Sequence, residues 1–117
     1  MAKKQKEQHQ VYTLLVQVGR TENDGFPKGS TGAVLMCYSS GINEAEAVRE
    51  AVAIIKKADL SPFDVTGYGT ISEREAEGAA IDDEEKELMQ RALEENSVIV
   101  AQMTPLYDNG EQSLRLL

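Results

Sequence analysis

The sequence holds one cysteine, Cys37, and one histidine, His9. A single cysteine excludes an intramolecular disulfide, and one Cys with one His leaves no cluster of zinc ligands. An unpaired thiol is the usage expected of a reducing compartment. The lone histidine removes the commonest general base near neutral pH. A Cys-His nucleophilic pair would have to join Cys37, in an apolar strand, to His9 in the N-terminal segment, so Cys37 reads instead as a small buried hydrophobe. No run approaches the ~18 apolar residues of a membrane span. The lysines of MAKKQKEQHQ are followed by no apolar h-region and no small-residue cleavage site, so no signal peptide is read there. These absences predict a cytoplasmic protein.

Positive charge is scarce as well. The chain carries 12 Lys and Arg against 20 Asp and Glu, a formal net charge of -8. Apart from Lys3, Lys4 and Lys6 the basic residues are scattered, so no basic stripe follows nucleic-acid phosphates and direct DNA or RNA binding is disfavoured.

What is present is an ordinary globular mix, 41% apolar and 27% charged over 117 residues. That suffices for one core without disulfide or metal. Residues 1–10 contain no branched apolar side chain and are expected to form a disordered basic, polar tail, with residues 11–117 as a single α+β domain.

VYTLLVQVG alternates with period 2, which predicts a strand with Tyr12, Leu14, Val16 and Val18 facing the core. Residues 20–32 hold four glycines and prolines and read as a long loop. AVLMCYSS, 33–40, is apolar on both faces and predicts a central strand. Asn43 with Glu46 has capping-box spacing, and Val48, Ala51, Val52 and Ile55 form one helical stripe. Lys56 and Lys57 suit that helix's last turn, and Ser61-Pro62 is expected to stop it. FDVTGYGTIS, 63–72, alternates as a third strand whose two glycines leave room for close packing. A second helix follows, with Leu88, Met89, Ala92 and Leu93 inward and Asn96 at its end. SVIVAQMTPLY is a fourth strand in which Pro105 marks an edge or terminus, and Asn109-Gly110 allows a fifth from Leu114, Leu116 and Leu117.

The order β-β-α-β-α-β, with a C-terminal β as an option, predicts a two-layer α/β sandwich, ferredoxin-like or a permuted relative. Two layers require both helices on one face. The other face then carries Thr13, Gln17, Thr66, Tyr68 and Thr70, but also Leu15 and Val11.

No catalytic constellation is recognisable, and nothing calls for a cofactor or a metal: there is no EF-hand spacing, and Lys28 among glycines lacks the spacing of a phosphate loop. The conspicuous feature is SEREAEGAAIDDEEKE, 72–87, with eight carboxylates and two basic residues. Asp82, Asp83, Glu84 and Glu85 start a helix, where the dipole and free amides favour carboxylates. Glu73, Glu75 and Glu77 precede it with no such local reason.

The sequence thus predicts a small, acidic, non-enzymatic interaction module, of the inhibitor or immunity type, that covers a basic or nucleic-acid-binding surface of a larger protein partner. Glu73, Glu75, Glu77, Tyr68 and Lys28 are its candidate contacts. A homo-oligomer through the open sheet face is a second expectation. The alternative is a small-ligand-binding or enzymatic domain with a pocket between the 20–32 loop and the sheet, using Lys28, Ser30, Tyr68 and Glu75.

Overall fold

The computed structural model describes residues 9–107. The alternation of the first strand holds: Tyr12, Leu14, Val16 and Val18 are buried on one side of β1, Gln10–Gly19. The remaining elements are β2 (Gly32–Gly41), α1 (Glu44–Lys57), β3 (Ser61–Gly69), α2 (Ile71–Ala76), α3 (Asp83–Glu95) and β4 (Val98–Leu106). The tail expected over residues 1–10 ends earlier than that, because Gln10 already pairs in β1; residues 1–8 and the fifth strand expected from Leu114, Leu116 and Leu117 lie outside the described residues.

All pairings are antiparallel, in the order β3-β1-β2-β4. β2 is central, as its two apolar faces required. β1 and β2 form a hairpin in the register Val18↔Ala33 to Gln10↔Gly41. Their connecting loop is held by its own side chains. The Asp24 carboxylate, 2% exposed, pairs with Arg20 Nε at 2.8 Å and accepts from the amides of Thr21 and Phe26 at 2.7 and 2.9 Å. Arg20 in turn donates to Ser30 O at 2.8 Å.

The fold is α+β, a sheet with helices layered on it. The sheet and α1 form two layers around Leu14, Val16, Val18, Leu35, Cys37, Ala47, Ala51 and Ile55. The two long helices, however, do not share a face. Met89 and Ala92 of α3 pack on Val11 and Tyr38, which point to the side opposite Tyr12 and Cys37. The sequence stripe shows which face of a helix is buried but not which face of the sheet receives it. The connectivity, β-β-α-β-α-α-β, begins with a hairpin, where the ferredoxin-like order begins with strand-helix-strand.

Four strands span about 19 Å and one helix is about 10 Å across, so a single helix leaves roughly half of a face uncovered. Leu15, Val34 and Met36 accordingly remain only partly buried on the α3 side. Both edges are blunted. β3 carries Pro62 and two bulges whose extra residues are Phe63 and Tyr68. β4 carries Pro105 and a bulge at residue 101. Proline and bulges discourage another strand from pairing there.

Asn43 caps α1, accepting from Glu46 N at 2.9 Å. Glu46 reaches back to the amide of Ile42 rather than Asn43, again at 2.9 Å. The helix stops at Lys57, with Ala58 as its cap and Asp59 at φ 64°, ahead of Ser61-Pro62, which instead open β3. Asn96 ends α3 in the left-handed conformation, φ 49°.

Candidate functional site

The stretch Glu73–Glu77 is not a loop. Residues 71–76 form the short helix α2, because Thr70 and Glu73 make a full capping box: Glu73 N donates to Thr70 Oγ1 at 3.2 Å and Thr70 N to Glu73 Oε1 at 2.8 Å. Glu73 therefore has the local structural role that sequence reasoning assigned only to Asp82–Glu85. Glu75 pairs with Lys86 at 3.8 Å, with both side chains about half exposed. Glu77 is the C-terminal cap of α2 and is exposed.

The second acidic group divides differently as well. Asp82 caps α3 through Glu85 N at 2.9 Å, but the Glu85 carboxylate turns to the sheet. It accepts from Tyr38 Oη at 2.6 Å and from Arg74 Nη1 at 3.1 Å, and Arg74 Nη1 also donates to Thr13 Oγ1 at 3.0 Å. One carboxylate thus joins α2, α3, β1 and β2. Burial first, then the bond to Glu85, hold the Tyr38 phenol far above its usual range.

β3 ends in Gly67-Tyr68-Gly69, and Tyr68 is the extra residue of a bulge between the pairs Leu14↔Gly67 and Thr13↔Gly69. A bulge re-aims its side chain, and Tyr68 stands 48% exposed. Gly69 has φ 89°, which a side chain would disfavour. Tyr68 separates two depressions. One, about 480 Å³, has Leu15 and Met36 on its floor and Arg74, Glu77 and Ala79 at its side. The other, about 400 Å³, is lined by Glu44, Gly67, Gly69, Glu73, Ala76 and Glu77. Tyr68 and Glu77 border both.

The room left by the two glycines is taken by carboxylate side chains of the two helices that pack beside β3. A Cβ on Gly67 would collide with the Glu44 carboxylate, and one on Gly69 with the Glu73 side chain. Among the described residues, no Lys or Arg lies within ion-pair distance of Glu44, Glu73 or Glu77. Glu44 was legible only as a helix-start carboxylate, because its meeting with Gly67 depends on α1 crossing the sheet.

The structure therefore brings together Tyr68, Glu73 and Glu77, adds Glu44, and leaves Glu75 paired elsewhere. Lys28 is exposed in the 20–31 loop and lines neither depression. The depression beside that loop, about 410 Å³, is lined by Thr21, Glu22, Asn23, Lys56, Asp59 and Leu60. It contains none of Lys28, Ser30, Tyr68 and Glu75. Ser30 is buried, donating to Pro27 O at 2.6 Å.

Cys37 is fully buried, and burial pushes its thiol up to about 11, which makes it a poor nucleophile at neutral pH. Among the described residues, no three His, Cys, Asp or Glu side chains converge closely enough to hold a metal ion. Nor is any helix among them long and apolar enough to cross a membrane.

No curated protein and no solved structure matches the chain. Residues 11–107, nearly all of those just described, match the family model described as a domain of unknown function, DUF8846, and the chain belongs to that family.

Proposed function

We propose that this chain is a non-enzymatic interaction module that binds a basic surface of a larger protein partner through the ridge at Tyr68. The observation that carries the proposal is that Tyr68 and Glu77 border both an acidic and an apolar depression. A partner segment with a cationic and an apolar side chain can seat one on each side of the tyrosine. Tyrosine supplies a large, rigid contact at low entropic cost. The blunted strand edges favour contact through this surface over strand addition. A net charge of -8 steers basic surfaces toward it and repels nucleic acid, which suits a protein that covers a nucleic-acid-binding surface of its partner. The cytoplasm is the compartment that fits, since its reducing poise keeps the Cys37 thiol free.

The test is affinity purification of the tagged full chain from its source cells, beside the Tyr68→Ala variant. A partner with a basic surface, retained by the wild type, released by salt and lost with Tyr68→Ala, supports the proposal. A partner retained equally by both proteins refutes it.

A further inference from the structure

We infer that the depression over Leu15 and Met36 is the seat of one aromatic side chain of the partner, held on that apolar floor between the guanidinium of Arg74 and the ring of Tyr68. This inference rests on the interaction reading above and names the group that the apolar half of the surface recognises.

The fold makes the floor. Leu15 and Met36 are paired directly across β1 and β2, on the part of the sheet that α3 leaves uncovered, and both stay only partly buried. The space above them, about 480 Å³, is lined by Tyr68, Arg74 and Ala79. Ligand pockets run from roughly 300 to 1,000 Å³, so there is room for a ring and the peptide units that flank it.

A second observation, independent of the apolar floor, concerns Arg74. Its side chain is 17% exposed, and every hydrogen bond it makes among the described residues runs from Nη1, to Thr13 Oγ1 at 3.0 Å and to Glu85 Oε1 at 3.1 Å. Both acceptors meet the edge of the guanidinium, where its N–H groups point, so no hydrogen bond occupies the flat face. A mostly buried, permanently charged plane beside an apolar floor is matched by a group that is apolar yet electron-rich, and an aromatic ring is that group.

The other walls agree. The Met36 thioether makes favourable contacts with ring edges, and the Tyr68 ring packs offset or edge-to-face on another ring. An aliphatic side chain would gain only its burial over Leu15. An acidic one is disfavoured, because Glu85 already offsets Arg74 and Glu77 stands at the rim. Aromatic side chains seated in such depressions are the usual anchors of an interface.

The probe is N-acetyl-phenylalanine amide, titrated into the isotope-labelled full chain and followed by amide chemical shifts. Saturable shifts are expected at residues 15, 36, 68, 74 and 79. N-acetyl-cyclohexylalanine amide, of similar size but without a π face, should bind about tenfold more weakly, the scale of one cation–π and one sulfur–ring contact. Ala79 is exposed and lies outside the helices. Ala79→Phe therefore fills the depression from its side, leaves the bonds of Arg74 and the capping box of α2 in place, and should abolish the shifts.

Shifts spread over the whole surface, an equal response to cyclohexylalanine amide, or unchanged binding in Ala79→Phe overturn the inference. The captured partner separates this failure from failure of the broader reading. If its binding is lost with Tyr68→Ala but unchanged with Ala79→Phe, the seat is wrong, whatever the probe does, and the interaction reading stands. If its binding also ignores Tyr68→Ala, the interaction reading itself falls.

Discussion

Tyr38 donates its hydroxyl hydrogen to Glu85 at 2.6 Å, across 47 positions of sequence, and so clamps the start of α3 to the central strand. Tyr38 is wholly buried, and Glu85 is the one bonded partner of its hydroxyl among the described residues. Tyr38→Phe is expected to cost about 1–2 kcal/mol, the value of a hydrogen bond to a charged acceptor that keeps some solvent contact. Urea denaturation measures it. An unchanged midpoint would show that the clamp contributes nothing.

Stability should fall in alkali. The Tyr12 and Tyr38 phenols and the Cys37 thiol are all held above their usual values, chiefly by burial, Cys37 at about 11. Raised values mean that the stabilisation is complete below the unfolded pKa values, about 8.5 for Cys and about 10 for Tyr, and is lost as pH rises beyond them. Denaturation midpoints between pH 8 and pH 11, under reducing conditions, should therefore decline. Tyr38→Phe should decline less steeply above pH 10. A flat profile for wild type would contradict this.

The 20–31 loop should respond to acid instead. Its organiser, Asp24, is held down to about 2, first by the Arg20 hydrogen bond and then by the amides of Phe26 and Thr21. A lowered value means that the contribution is present above the usual range near 4 and disappears as pH falls toward 2. Asp24→Asn should speed amide exchange at Thr21 and Phe26 at neutral pH. Protection equal to wild type would show that the loop is held by other contacts.

Glu73 and Glu77 should separate by mutation. Glu73→Ala breaks a capping box and is expected to cost about 1 kcal/mol, whereas Glu73→Gln should be close to neutral. Glu77→Gln, at an exposed helix end, should leave stability unchanged. Thermal melts distinguish these outcomes. A Glu73→Ala protein as stable as wild type would remove Glu73 from the architecture of α2.

Ser40 and Ser97 offer a contrasting test. Their hydroxyls are buried and have no hydrogen-bond partner among the described residues. Removing an unsatisfied polar atom costs little, so Ser40→Ala and Ser97→Ala should each be within about 0.5 kcal/mol of wild type or more stable. A loss well beyond that would reveal a partner for the hydroxyl, such as a bound water.

Periodicity made the strands legible, and Asn43, Asp82 and Asn96 marked helix ends because capping is a local matter. The apolar stripes of α1 and α3 were legible too, but the sheet face each one covers was not, since that depends on how the chain crosses between strands. α2 went unseen because its signal is a Thr70-Glu73 box in front of only six helical residues. Of the candidate contacts, Tyr68 and Glu77 meet at one surface, Glu73 meets them while also serving as a cap, and Lys28 lies apart. Glu44 joined them only through the fold, at a glycine 23 positions away.

The most direct test of the Tyr68 surface is the affinity of the captured partner for wild type, Tyr68→Ala and Glu44→Gln/Glu73→Gln/Glu77→Gln, at low and high salt. Loss of binding in Tyr68→Ala, with weakened and less salt-dependent binding in the charge variant, is the predicted result. Equal affinity for all three proteins would contradict it.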